Sequence, residues 1–539
     1  MKEILSVLLI LLAFSAGCQR PGSSHSFSQI ESSFRNIPDS IQTSVYWYWV
    51  SDNISKDGVV KDLQAMKKVG INRAFIGNIG LNEGYSRIPY GKVKIFTDEW
   101  WDILHTALKT ATELDIEIGI FNSPGWSQSG GPWIRPEQSM RYLNSSEIVV
   151  TGPQHFNRKL IAPNADFQRV NVIAYKTPAD FGPTLKAFNP KITSVPEVAD
   201  IKNIMDGDLS TQIQIQGKKL LTIDFVTAEM STVRSLIIRT AETPIKAKGE
   251  LLAKQDNEFR KLKDFIIDRS KPDLSVGFDP WAPIVISVPD TESPVFRLVI
   301  SGSDPAGAIA EVELSAAPGV ERYPEKSLAK MFQTPLPFWH DYMWPDQPEV
   351  EDKSLVIDPQ QVLDITKYMS EDGTLSWNVP EGRWVIMQTG MTSTRMLNGS
   401  ATAEGTGVEV DKMSKELIKY NFDAFLGEII RRVPAEDRKT WKVVVADSYE
   451  CGSQNWTDGF IEDFSVRYGY DPVPFIPVLK GYVVGSRAVS DRFLWDLRRM
   501  VADKIAYDYL GGLREESHKH GLTTWLENYG HWGFPGEFL

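Results

Sequence analysis

Three strand-then-helix units follow one another between residues 45 and 122, and this alternation constrains the fold more than any other feature of the chain. Residues 45–50 form a run of aromatic and β-branched side chains that reads as a strand. Ser55 stands where an N-cap is needed for a helix over 56–69, in which Val59, Leu63, Met66 and Val69 recur at helical spacing. Gly70 closes that helix and 72–78 is the second strand. Thr97 caps a helix reaching residue 114, and 117–122 is the third strand. A strand that returns through a helix to the next strand implies parallel pairing, because a parallel partner is reached only by a crossover.

The alternation then stops. From 148 to 375 the chain carries many short β-rich runs, among them 221–226, 233–239, 284–288 and 296–300, parted by Gly, Pro, Asp and Ser. This region predicts an inserted all-β sandwich. Residues 204–209 with 221–225 resemble galactose-binding-like modules. Alternation resumes with a strand at 384–390, a helix at 412–432, a strand at 441–447, helices at 458–468 and 490–519, and a strand at 522–527. About six β-α strands around an insertion predict an α/β chain: an incomplete (β/α)8 TIM-type barrel, with its first part at 45–147 and its continuation at 376–539.

The N-terminus has the layout of an export signal. Charged Lys2 and Glu3 lead into an apolar run, and Ser15-Ala16-Gly17 precede Cys18. Residues 1–18 are expected to be a lipoprotein signal peptide with Cys18 lipidated, and polar, Ser-rich 19–44 a tether. The expected place is the cell envelope, lipid-anchored to the outer membrane and periplasmic or surface-facing. A net charge of −12 without a basic stretch argues against nucleic acid, whose binding rests on neutralised phosphates. Two cysteines, Cys18 and Cys451, exclude a disulfide framework.

In a barrel of this kind the chemistry gathers at the carboxyl ends of the strands. The strands deliver there Trp47 and Trp49, then Asn78, then Asn122 and Trp126, then Glu404, Glu409 and Asp411, then Asp447 and Glu450, and finally Glu527 and Asn528. Carboxylates that move protons, amides that hold hydroxyls and aromatic rings that stack on sugar faces suit glycoside hydrolysis. Each residue also has a structural reading. Asp447 can cap a helix, Glu409 and Asp411 can favour a helix dipole, and Trp47 and Trp49 share one strand face that is equally a core face. The seven histidines lack a paired metal spacing, and no phosphate-binding glycine motif or nucleophilic serine elbow occurs.

Five longer strings occur in order: 45–49 with 53–58, 122–134, 404–413, 447–450 with 452–456, and 527–530 with 533–537. Together they resemble glycoside hydrolase family 106, the α-L-rhamnosidases. The resemblance implies an inverting hydrolase that removes terminal α-L-rhamnose from plant glycans such as pectin side chains. Such an enzyme holds two carboxyls roughly 6.5–9.5 Å apart around the attacking water. It further implies a calcium ion at the sugar hydroxyls, with ligands unassigned, and Glu450 as general base. Trp47, Trp49, Asn122, Trp126, Glu409, Asp411, Asp447, Trp456, Glu527 and Asn528 are the residues expected to bind substrate. The general acid is expected beyond residue 539, which makes this chain a truncated barrel with little or no activity alone. Two other readings stand beside this one: a non-catalytic glycan-binding lipoprotein, and another TIM-barrel glycosidase of β-galactosidase-like type.

Overall fold

The computed structural model describes residues 26–37, 41–81, 88–126, 129–178, 183–215, 220–270, 277–303, 307–331 and 344–527. Cys18 and Asn528, and with them the lipidation and one substrate-binding expectation, lie outside these residues.

Five parallel strands form one sheet in the order β1 (Ser44–Val50), β2 (Arg73–Ile79), β3 (Glu117–Phe121), β4 (Trp441–Ala446) and β5 (Thr523–Leu526). The helices between them begin where the chain offers a cap. Ser55 Oγ accepts the Gly58 N–H at the start of α1 (Lys56–Lys68). Thr97 does the same for α2 (Asp98–Leu114), and Ser414 for α3 (Lys415–Arg432). After β4 come α4 (Phe460–Tyr468), α5 (Arg487–Lys504) and α6 (Gly511–Lys519). The helix expected over 490–519 is in fact α5 and α6 joined by a π-helical stretch, Ile505–Leu510.

The fourth of the six expected strands is not in this sheet. Residues 384–390 belong to the long strand Thr374–Ser393, which pairs antiparallel with Arg141–Lys159 on one side and Gln168–Lys176 on the other. A strand covered on both faces reads as a continuous apolar run in either kind of sheet, so Trp384-Val385-Ile386-Met387 gave no sign of its partners. The parallel strands are therefore five, β4 lies directly beside β3, and the insertion falls between those two neighbours.

That insertion is wider than 148–375 and is not a single sandwich. Antiparallel strands run from Arg141 to Ser393 and divide into a four-stranded and a seven-stranded sheet. The seven-stranded sheet is cored by Phe225, Phe296, Leu298 and Ile300; Phe156, Trp377 and Trp384 core the other. Ahead of β1, within the expected tether, Phe27–Arg35 is a helix capped by Ser26 with none of its residues buried.

The parallel sheet has two unlike faces. One packs on α1 and α2 through Trp47, Trp49, Ala74, Ile76, Ile118 and Ile120, with Leu63, Trp100, Leu104 and Leu108 from the helices. Burying a large apolar side chain of this kind contributes about 1.5–3 kcal/mol. The other face carries Tyr46, Tyr48, Phe75, Phe121, Val443, Val445 and Trp525. Two glycines make room for these rings. A Cβ on Gly119 would meet Phe75 Cδ1 at 2.4 Å, and one on Gly77 would sit 3.1 Å from Tyr48 Cδ1. The sheet is strongly curled, since the Phe75 and Trp525 rings, from β2 and the far edge, lie 5.2 Å apart between centroids.

Candidate active site

The carboxyl ends of the strands bring together a smaller set than the sequence predicts. Alternation along β4 puts Val443 and Val445 on the concave face, and the next position of that parity is Asp447. Along β5 the same parity runs from Trp525 to Glu527, and the Glu527 N–H donates to the Ala446 carbonyl at 3.0 Å. Asp447 and Glu527 thus stand side by side just past their strands. Glu527 accepts from the Tyr46 hydroxyl and, at 3.3 Å, from Trp525 Nε1.

Beyond β4 the chain runs on as an irregular segment through Glu450. Ser448 and Tyr449 are buried while Asp447 and Glu450 are half-buried, so both carboxylates keep access to solvent. Ser448 Oγ donates to Glu450 Oε1 at 2.8 Å, and the Ser448 N–H donates to Asp447 Oδ1 at 2.8 Å. Burial raises the Asp447 carboxyl above the usual carboxylate range; its bond from the Ser448 N–H opposes this and the Glu450 charge adds to it. The half-buried Trp126 ring lies 6.1 Å from that of Tyr48, completing an aromatic side to the site.

Other expected substrate contacts are turned away from this surface. Trp47 is 7% exposed and donates through Nε1 to Asp62 Oδ2 at 3.1 Å; Trp49 packs edge-on to Trp100. Both serve the helix-facing core, and the exposed rings of β1 are Tyr46 and Tyr48. Trp456 is 1% exposed and stacks on Phe460 with centroids 4.4 Å apart. Asn122 is buried too: its Nδ2 donates to the Val445 carbonyl at 3.2 Å and its Oδ1 accepts from Ser129 Oγ at 2.5 Å.

Glu409 and Asp411 are wholly enclosed rather than open to a ligand. Glu409 forms a buried ion pair with Lys412 and accepts the Ser129 N–H at 3.1 Å. Asp411 accepts from Arg141 Nη2 at 2.9 Å, Thr457 Oγ1 at 2.6 Å, Gln454 Nε2 at 2.7 Å and the Met413 N–H at 2.8 Å. A carboxylate with that many donors is held by its charge-assisted bonds and has a structural task. Among the described residues, no three His, Cys, Asp or Glu side chains converge to hold a metal ion.

Carboxylates and aromatic rings set around the carboxyl ends of parallel strands are the layout of a glycoside hydrolase. The chain belongs to glycoside hydrolase family 106, alpha-L-rhamnosidase, whose sequence model matches residues 35–539. It is similar to the solved rhamnosidase from Novosphingobium sp. PP1Y, with a TM-score of 0.75 and 27% identity, over 93% of this chain and 47% of that one. A Formosa agariphila protein, named provisionally as a beta-glucuronidase, is 26% identical over 509 residues, which are 94% of this chain and 31% of that protein. The chain thus spans about half the length of the solved rhamnosidase and about a third of the Formosa protein.

Proposed function

We propose that this chain carries the sugar-binding face and the general base of an α-L-rhamnosidase that removes terminal rhamnose from plant glycans with inversion. The observation that supports this most is the half-buried pair Asp447 and Glu450, the first standing beside Glu527 at the end of the face lined by Tyr46, Tyr48, Trp126 and Trp525. Glu450 serves as the base: the Ser448 hydroxyl occupies Oε1 and orients the group, leaving Oε2 to take a proton from water. Asp447 and Glu527 accept hydroxyl protons from the sugar, and the aromatic rings cover its apolar face. The curled sheet is one side of a closed (β/α)8 barrel, in which an opposing carboxylic acid protonates the leaving oxygen.

The calcium ion expected from the family finds no ready set of acidic ligands among the described residues, so no step here passes through it. The Cys18 anchor and a cell-envelope location remain part of the proposal. The test is hydrolysis of an aryl α-L-rhamnoside by the full chain, against a panel that includes aryl β-glucuronide and β-galactoside. We expect weak turnover confined to a nitrophenyl α-L-rhamnoside, whose leaving group departs without a general acid, and Glu450→Gln to lower it by at least a hundredfold. Rhamnoside binding without turnover, unchanged in Glu450→Gln, would favour the glycan-binding reading. Cleavage of another glycoside in the panel would overturn the substrate assignment.

A further inference from the structure

A cleft of about 230 Å³ opens where the four-stranded sheet, the approach to the seven-stranded sheet and the loop after β4 meet. One wall is a fixed aromatic pair: the Tyr142 and Phe278 rings stack with centroids 4.3 Å apart and planes 9° from parallel. Asn455 closes another wall and is locked there, its Oδ1 accepting the Leu143 N–H at 2.9 Å and its Nδ2 donating to the Ser327 carbonyl at 2.9 Å. The Asp279 backbone is likewise tied, its N–H donating to the Ala329 carbonyl at 2.8 Å. Asp279 and Lys480 both line the cleft; of the charges around Asp279, that of Arg269 acts most strongly and that of Lys480 next, and its carboxylate accepts the Trp281 N–H. Yet among the described residues neither takes part in a salt bridge.

Two exposed, opposite charges on the lining of one preformed cleft suit a guest that donates to one and accepts from the other. Sugar hydroxyls do both, and a neutral guest leaves the local charge balance undisturbed. The space admits a single ring rather than a chain. Asn455 lies five residues beyond Glu450 on one loop, so the two Cα atoms are at most roughly 18 Å apart. An oligosaccharide can bridge that distance.

We infer that this cleft is a second sugar subsite, which takes a neutral pyranose of the same glycan through Asp279 and Lys480. The inference rests on the strand-end reading above for the place of the terminal rhamnose. It is tested by titrating the full chain with free L-rhamnose and with a neutral trisaccharide ending in rhamnose, in the parent, Asp279→Ala and Lys480→Ala proteins. The trisaccharide is expected to bind about tenfold more tightly than rhamnose in the parent. Each variant should bring it to within about twofold of rhamnose, with rhamnose affinity unchanged. Equal affinity of the two sugars in the parent, or a gain that survives both substitutions, overturns the subsite. Trisaccharide binding that needs Asp279 and Lys480, with no binding of free rhamnose, upholds the cleft and sinks the strand-end assignment. Binding of neither sugar overturns both.

Discussion

The hydroxyl of Tyr46, on β1, donates to the carboxylate of Glu527, which follows β5 at the opposite edge of the parallel sheet. Five strands spaced about 4.8 Å apart would put those edges roughly 19 Å from one another in a flat sheet. A phenol cannot span that gap, so the bond is a direct measure of how far the sheet curls. Removing it should loosen the edges without unfolding the core. We expect Glu527→Ala to shift tryptophan emission to the red as Trp525 loses its partner, and to cost about 1 kcal/mol or less because Tyr46 is exposed. Equilibrium denaturation followed by fluorescence reads both quantities.

Stability and sugar binding should separate among the aromatic residues. Trp47→Phe removes a buried indole and its bond to Asp62, and is expected to cost about 1–3 kcal/mol with glycan affinity intact. Trp126→Ala should do the reverse, weakening rhamnoside binding with a smaller loss of stability. Denaturation and calorimetric titration of both variants decide the matter. A loss of affinity confined to Trp47→Phe would place the sugar on the helix side of the sheet.

The Glu409–Lys412 pair is fully buried, so breaking one half leaves a charge with no water to take it up. Lys412→Met alone should destabilise the chain by about 3–5 kcal/mol. Joining it to Glu409→Gln should recover part of that loss. Chemical denaturation of the single and double variants measures the coupling, and simple additivity would mean that the two charges are not a unit.

Asp447 has a raised carboxyl, and the sign of its effect follows. The folded protein holds this proton more tightly than the unfolded chain, so the folded state is favoured at low pH. That advantage is lost as pH rises past the ordinary aspartate value near 3.9 and through the folded value. Asp447→Asn should therefore raise the melting temperature at pH 7, and the gain should shrink as pH falls through the raised folded value and be gone below about 4. Thermal melts across that range test it; a gain of constant size would remove the burial argument.

Burial pushes the Cys451 thiol up to about 12 and encloses it completely. Alkylation at Cys451, located by peptide mass spectrometry, should appear only above the unfolding midpoint. Rapid labelling of the folded chain would show that the loop after β4 opens in solution.

Much of the parallel layer was legible because its signals are local. Ser55 and Thr97 announce their helices within four residues, and the apolar spacing of α1 follows at once. Nothing local marks the sheet of the strand at 384–390, because its partners, Arg141–Lys159 and Gln168–Lys176, lie more than 200 residues away. On β1 the alternation separates Trp47 and Trp49 from Tyr46 and Tyr48, but both sets are aromatic, so pattern alone cannot say which one the helices cover. The structural task of Asp411 is hidden for a similar reason. Its main cation, Arg141, is 270 positions distant in the chain.

Arg141 also bears on how the halves of this molecule relate. It opens the inserted strands, is 1% exposed, and binds Gln168 within the insert as well as Asp411 and Asp458 outside it. Excising 141–393 and rejoining the ends would leave Asp411 enclosed beside Thr457 and Gln454 with its cation gone. The β-rich insert is thus no portable cassette: a chimaera that swaps it must import an arginine at the same splice point, or inherit an orphaned charge beneath the loop that carries Glu450.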